Sequence, residues 1–162
     1  MTSNKKQQLG WINGRWESFE KLQIPINDRG LTFADGIFET ILILNGTPQL
    51  INEHLSRWET SASLLGMNPP PSKEWLISLI TEGINKSHLH KKNGAIRLNW
   101  SRGASIQRGI DLSHTNSHRF WVEINHYQPN FESISTLISR TEKRNPFSRL
   151  SRSKTFAYNQ SI

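Results

Sequence analysis

Four basic side chains carry the chemistry that this sequence could perform. Lys154 lies in Ser153-Lys154-Thr155-Phe156-Ala157-Tyr158, with Arg149 and Arg152 just before it. A lysine that forms a Schiff base must present a neutral amine to an aldehyde, and burial beside other cations lowers an ammonium pKa toward that state. Taken alone, a lysine in a Ser/Arg-rich stretch is usually a solvated one. Arg57 borders the apolar stripe of its helix, from which a guanidinium could turn inward and grip a phosphate through bidentate bonds. The bland alternative is an exposed arginine lying over Trp58. Arg102 closes the strand segment Arg97-Leu98-Asn99-Trp100-Ser101-Arg102-Gly103 and is followed by Arg108-Gly109, so Arg102, with Arg97 in reserve, could present a guanidinium to a substrate carboxylate. A surface loop with solvated arginines would read the same way.

The strands and helices that must position these groups are visible as periodicities. Asn13-Gly14 and Asn45-Gly46 suit type I′ turns, whose central residues both need positive φ, so hairpins are expected around residues 11–16 and 37–51. Phe38 and Thr40 fall on one face of the strand from Ile37 to Leu44 and Glu39 on the other, which makes the first two pocket candidates and Glu39 a structural residue. Asn52 is the expected cap of a helix over 53–65 ending at Gly66, with Leu55, Trp58, Ala62 and Leu65 as its stripe. Ser72 caps a second helix over 73–89, and strands follow at 95–100 and 120–127. Four strands, two helices and two strands with short links give an α+β fold: a two-layer domain over residues 1–128 with an antiparallel sheet covered by helices on one face. Near Pro129 the pattern breaks. Residues 135–140 read as a strand opening a second unit over 129–162.

Composition removes several classes of function. No apolar run is long enough for a membrane span, and the N-terminus lacks an apolar signal core, so the expected location is the cytoplasm. The chain has no cysteine, hence no disulfide, thiolate metal site or cysteine nucleophile. His88 with His90, or His114 with His118, lacks a third fixed ligand, so no metal is expected. The net charge of +7 gathers around residues 140–154, but the aromatic residues fall mainly in the strand and helix patterns, with Phe147 alone inside that cluster, which argues against nucleic-acid binding. An anionic small molecule is the better partner.

Asp28-Arg29-Gly30 with Asp35-Gly36-Ile37-Phe38-Glu39-Thr40, then Glu53-His54-Leu55-Ser56-Arg57, then Arg144-Asn145-Pro146 leading to Lys154 and Tyr158, together resemble the class IV (fold-type IV) pyridoxal-phosphate enzymes. The resemblance runs from about residue 9 to residue 162 and covers about half of a family member. Its implications are specific. The cofactor is pyridoxal 5'-phosphate, held by Lys154 as a Schiff base; Lys154 then shuttles the substrate proton. Arg57 meets the phosphate and Tyr158 the phenolic oxygen. Phe38, Thr40, Arg97 and Arg102 border a small anionic, amino-acid-like substrate. Ala157 departs from the asparagine frequent at that point in the family. The Ser101-Arg102-Gly103 … Arg108-Gly109 pattern is most similar to 4-amino-4-deoxychorismate lyases, which release pyruvate and leave 4-aminobenzoate for folate synthesis. The alternatives are a D-amino-acid or branched-chain aminotransferase and, in a different class, a non-catalytic binding module. The resemblance also implies a homodimer at full length. A second half would supply the glutamate for the pyridine nitrogen and the rest of the phosphate cup, so the 162-residue chain alone is expected to be inactive.

Overall fold

The computed structural model describes residues 8–105, 109–112 and 117–158. Arg108, His114 and Asn159 lie outside the described residues. Six strands form one antiparallel sheet: β1 (Leu9–Ile12), β2 (Arg15–Ser18), β3 (Gly36–Leu44), β4 (Thr47–Pro48), β5 (Gly94–Ser101) and β6 (Arg119–His126), in the order β2-β1-β6-β5-β3-β4. Both hairpins turn as their Asn-Gly pairs require, with φ of 52° and 84° at Asn13-Gly14 and 49° and 80° at Asn45-Gly46.

A short helix, α1 (Arg29–Thr32), precedes β3, and two longer ones, α2 (Ile51–Leu64) and α3 (Lys73–Lys86), cover one face of the sheet. The side chains of Ile37, Ile41 and Ile43 from β3, Ile96 and Leu98 from β5, and Phe120, Val122 and Ile124 from β6 meet Leu55, Trp58, Leu76, Leu79, Ile80 and Ile84 in a single core. Because strand side chains alternate, Phe38, Thr40, Arg97, Asn99, Trp121 and Glu123 face the other way, away from α2 and α3. Of the functional candidates, Phe38, Thr40 and Arg97 lie on that face.

Helix boundaries moved slightly. The cap of α2 is Leu50, in the left-handed region at φ 50°, and not Asn52: the β4 turn delivers the chain so sharply that the helix begins a residue before the polar one. Ser72 caps α3 as expected, its hydroxyl accepting from the Trp75 N–H at 3.4 Å.

Residues 135–140, expected as a strand, carry no regular structure. Leu137 and Ile138 are 100% and 94% exposed. A β-type sequence becomes a strand only against a neighbour, and no described strand lies beside this one. Among the described residues no helix is long and apolar enough to cross a membrane.

Candidate active site

The segment around Lys154 is docked on the free edge of β3. Phe38 N–H donates to the Lys154 carbonyl and Phe156 N–H to the Gly36 carbonyl, each at 2.9 Å, with Ile37 opposite Thr155 in an antiparallel bridge. Two glycines make room for this docking. A Cβ on Gly36 would lie 2.2 Å from the Phe156 ring, and one on Gly30 would lie 2.9 Å from it. Neither glycine has a left-handed φ; the left-handed residue of this turn is Ala34, at 53°. Gly30 and Gly36 thus serve close approach of the Phe156 ring.

Docking sets the lysine against aromatic surface. Lys154 Nζ stands 4.6 Å from the centre of the Phe38 ring and 5.3 Å from that of Tyr158, while the Arg97 guanidinium carbon lies 3.7 Å from the Phe38 centre. Four of the expected site residues, Phe38, Arg97, Lys154 and Tyr158, thus form one cluster. Thr40 is exposed and sits directly opposite Arg97 in the sheet register. Burial lowers the Arg97 pKa, with Glu123 and then Tyr158 opposing that shift; an arginine remains charged nonetheless.

Arg57 approaches the same edge from the helix side. Its Nε donates to Glu39 Oε1 at 2.6 Å and its Nη2 to Glu39 Oε2, a bidentate pair that, through the Glu39 hydrogen bond first of all, raises the guanidinium pKa. His54 Nδ1 lies 2.8 Å from the same Oε2. Glu39 is fully buried, whereas the Arg57 side chain is 54% exposed, so the arginine is gripped at one end and open at the other. Among the described residues its Nη1 has no partner. Strand β4 pairs with β3 only at Ile43 and Leu44, and the lysine segment bridges only at Ile37. On the edge away from β5, the stretch Glu39-Thr40-Ile41 between them has no described strand beside it, with Arg57 bonded to Glu39 on one side and the Lys154 segment ending at Phe38 on the other.

Arg102 does not join this cluster. It is buried, and every nitrogen of its guanidinium has a partner: Nε donates to Asp35 at 3.0 Å, Nη1 to the Gly66 carbonyl at 2.9 Å and Nη2 to the Leu65 carbonyl at 3.0 Å. Arg29 Nε reaches the same Asp35 carboxylate at 2.8 Å, and Arg119 Nε reaches the buried Asp28 at 2.9 Å. The Asp-Arg-Gly … Asp-Gly motif is accordingly an ion-pair lattice that ties α1 to the end of β5. Arg102, expected to meet a substrate carboxylate, is here an internal clamp, whereas Arg97 stands in the Phe38 cluster.

The family profile for class IV amino-transferases matches residues 36–162. The chain belongs to this family. Among its class IV relatives, the D-alanine aminotransferase of Staphylococcus aureus (strain N315) is 33% identical over 95 residues, covering 59% of this chain and 33% of that protein. The solved 4-amino-4-deoxychorismate lyase of Pseudomonas aeruginosa is 28% identical, with a TM-score of 0.54 over 70% of this chain and 38% of the lyase. The branched-chain amino acid aminotransferase of Escherichia coli shares the fold at a TM-score of 0.79 and 17% identity, over 92% of this chain and 51% of that one. The chain thus spans about a third of the length of the D-alanine aminotransferase and about half of the Escherichia coli enzyme.

Class IV enzymes use pyridoxal phosphate, and the residues present fit that group. A primary amine on an aromatic shelf and a half-open, anchored arginine contact neighbouring residues of β3, Phe38 and Glu39, with the amine suited to an aldehyde and the guanidinium to a phosphate. Sequence reasoning missed Glu39 as the anchor of Arg57. It also missed Asn99, Trp121 and Glu123, which complete the open face. The signal for Glu39 was present: a carboxylate on the buried face of an apolar strand requires cationic partners, and the next helix supplies His54 and Arg57.

Proposed function

We propose that this chain forms the N-terminal part of a pyridoxal-phosphate-dependent class IV enzyme acting on a small amino-acid-like compound through its carboxylate, with Lys154 as its catalytic residue. The observation that carries this reading is the docking of the Lys154 segment on β3, which sets Nζ on the Phe38 ring within the cluster that holds Arg97. When bound, the cofactor supplies an aldehyde for the amine and an electron sink for charge developing at the substrate Cα. Lys154 Nζ would hold the cofactor through its aldehyde and would take and return a proton at the substrate Cα. Arg57 holds the phosphate through its free nitrogen while Glu39 fixes the other end. Arg97, with Thr40 beside it in the sheet register, orients the substrate carboxylate. Phe38 and Tyr158 wall the amine from water, and Tyr158 would meet the cofactor's phenolic oxygen.

Amino transfer is the first reading. It is supported by the 33% identity to a D-alanine aminotransferase. Release of 4-aminobenzoate and pyruvate from 4-amino-4-deoxychorismate is the second, supported by the 28% identity to a lyase of solved structure. Residues 129–162 would open a second domain: Phe131, Ile134, Leu137, Ile138 and Phe147 are 81–100% exposed, as side chains awaiting a core are. The whole protein is read as a cytoplasmic homodimer.

Borohydride reduction of the full-length protein loaded with pyridoxal phosphate tests the assignment. A visible absorption band should disappear, and mass spectrometry should find the pyridoxyl group on Lys154; a group on Lys143 would overturn the reading. Incubation with 2-oxo acids against 4-amino-4-deoxychorismate then separates amino exchange from pyruvate release.

A further inference from the structure

The open face of the sheet carries an acid that the proposed chemistry leaves unused. Glu123 and Arg97 stand opposite each other in the β5–β6 register, yet they form no ion pair. Asn99 stands between them: Arg97 Nε donates to Asn99 Oδ1 at 2.8 Å, and Asn99 Nδ2 donates to Glu123 Oε1 at 3.2 Å. The same Oε1 accepts from Trp121 Nε1 at 3.2 Å. Two donors on one oxygen fix the carboxylate and leave Oε2 without a partner among the described residues. The terminal nitrogens of Arg97 are likewise uncommitted among the described residues. Asn99 is buried, so its amide cannot relax toward solvent to let the charges meet.

The two charges therefore face one cleft from fixed, separate positions, and the rest of that cleft includes Ile24, Leu31, Trp121 and Phe156. A half-buried carboxylate among apolar walls is poorly solvated unless an opposite charge meets it. Had the pair served only to hold strands together, direct contact would do so better than an intervening amide. The spacing suits a ligand that bears both signs.

We propose that Glu123 is a specificity-determining residue that selects amino-acid substrates whose side chain ends in an ammonium group, seated on Glu123 Oε2 while Arg97 takes the carboxylate. This rests on the reading above, in which Lys154 and the cofactor handle the reacting amine. An apolar side chain leaves Oε2 bare, and an acidic one is repelled by it. The order of preference is cationic, then apolar, then acidic.

The test uses the full-length holoenzyme and follows loss of its visible band when single amino donors are added. Ornithine is compared with norvaline and glutamate, each as both enantiomers. Wild-type protein should favour ornithine over norvaline by about tenfold or more, the scale of one charge-assisted hydrogen bond. Glu123→Gln should keep the band and lose most of that preference, and Glu123→Lys should move it toward glutamate. A preference for norvaline in the wild type, or an ornithine preference unchanged in Glu123→Gln, overturns the Glu123 assignment while the band keeps the Lys154 reading intact. A wild-type protein that forms no band overturns the Lys154 reading, and the Glu123 assignment falls with it.

Discussion

A carboxylate with no exposed surface, packed on the core face of β3, organises the phosphate side of the site. Glu39 accepts both Arg57 bonds and faces His54, so the guanidinium that would meet a phosphate is aimed before any ligand arrives. Preorganisation of this kind strengthens binding by removing the need to order a flexible side chain. Arg57→Ala should weaken pyridoxal-phosphate affinity by about ten- to a hundredfold, as expected for one charge-assisted bond of roughly 1.5–3 kcal/mol. Glu39→Gln keeps the arginine but loosens its aim, so a smaller loss in the same titration of the visible band is expected. Equal affinity in wild type and Arg57→Ala would return Arg57 to the surface. Arg57 was legible in the sequence through Glu53-His54-Leu55-Ser56-Arg57, whereas Glu39 was assigned only a structural place. Alternation gave its direction correctly, but not which of the following helix's cations would reach it.

At the scale of elements, the decisive contact joins a strand to a segment more than a hundred residues later. The β3 edge at Gly36–Phe38 receives Lys154–Phe156, and the Phe156 ring lies over Gly30 and Gly36, packing at 6.3 Å from Phe38 and 5.5 Å from Trp121. A methyl group at Gly36 would collide with that ring and cannot be absorbed by a flexible chain end. Gly36→Ala is expected to destabilise the domain by about 1–3 kcal/mol, the usual cost of overpacking. Its larger effect should fall on chemistry: a displaced Phe156 carries Lys154 away from Phe38, so borohydride trapping at Lys154 should drop more than the fold does. Trapping at wild-type yield in a folded Gly36→Ala protein would show that the docking does not position the lysine. Periodicity made the strands and both long helices readable, because burial on one face leaves its mark every second or every third to fourth residue. Long-range docking leaves no such mark. Gly30 and Gly36 announced themselves as glycines, but the reason for them lay in a ring 120 residues downstream of Gly36. The same limit explains residues 135–140, where the strand pattern is present and the neighbour is not.

Across the whole molecule, order is distributed unevenly, and the distribution bears on how the site is assembled. The sheet with α2 and α3 encloses one apolar core, and its inner strands β3, β5 and β6 pair along their length. Residues 129–149, in contrast, carry no regular structure, and Phe131, Leu137 and Ile138 show 81–100% of their surface to solvent. Among the described residues, Lys154–Phe156 returns to the sheet through two backbone bonds to β3. Opening of such a segment breaks few contacts, so its free energy is far below that of the sheet. In hydrogen exchange of the 162-residue chain, amides of Ile96, Leu98, Val122 and Ile124 should be the slowest. Those of residues 131–147 should exchange at nearly unprotected rates, and Phe38 and Phe156 should fall between. Addition of pyridoxal phosphate, by tying Lys154 Nζ to a group also held by Arg57, should slow Phe38 and Phe156 together while leaving residues 131–147 fast. Strong protection of residues 131–147 in the chain by itself would mean that this segment has found a core of its own. Unequal slowing of Phe38 and Phe156 would mean that the lysine segment and the β3 edge do not close as one unit.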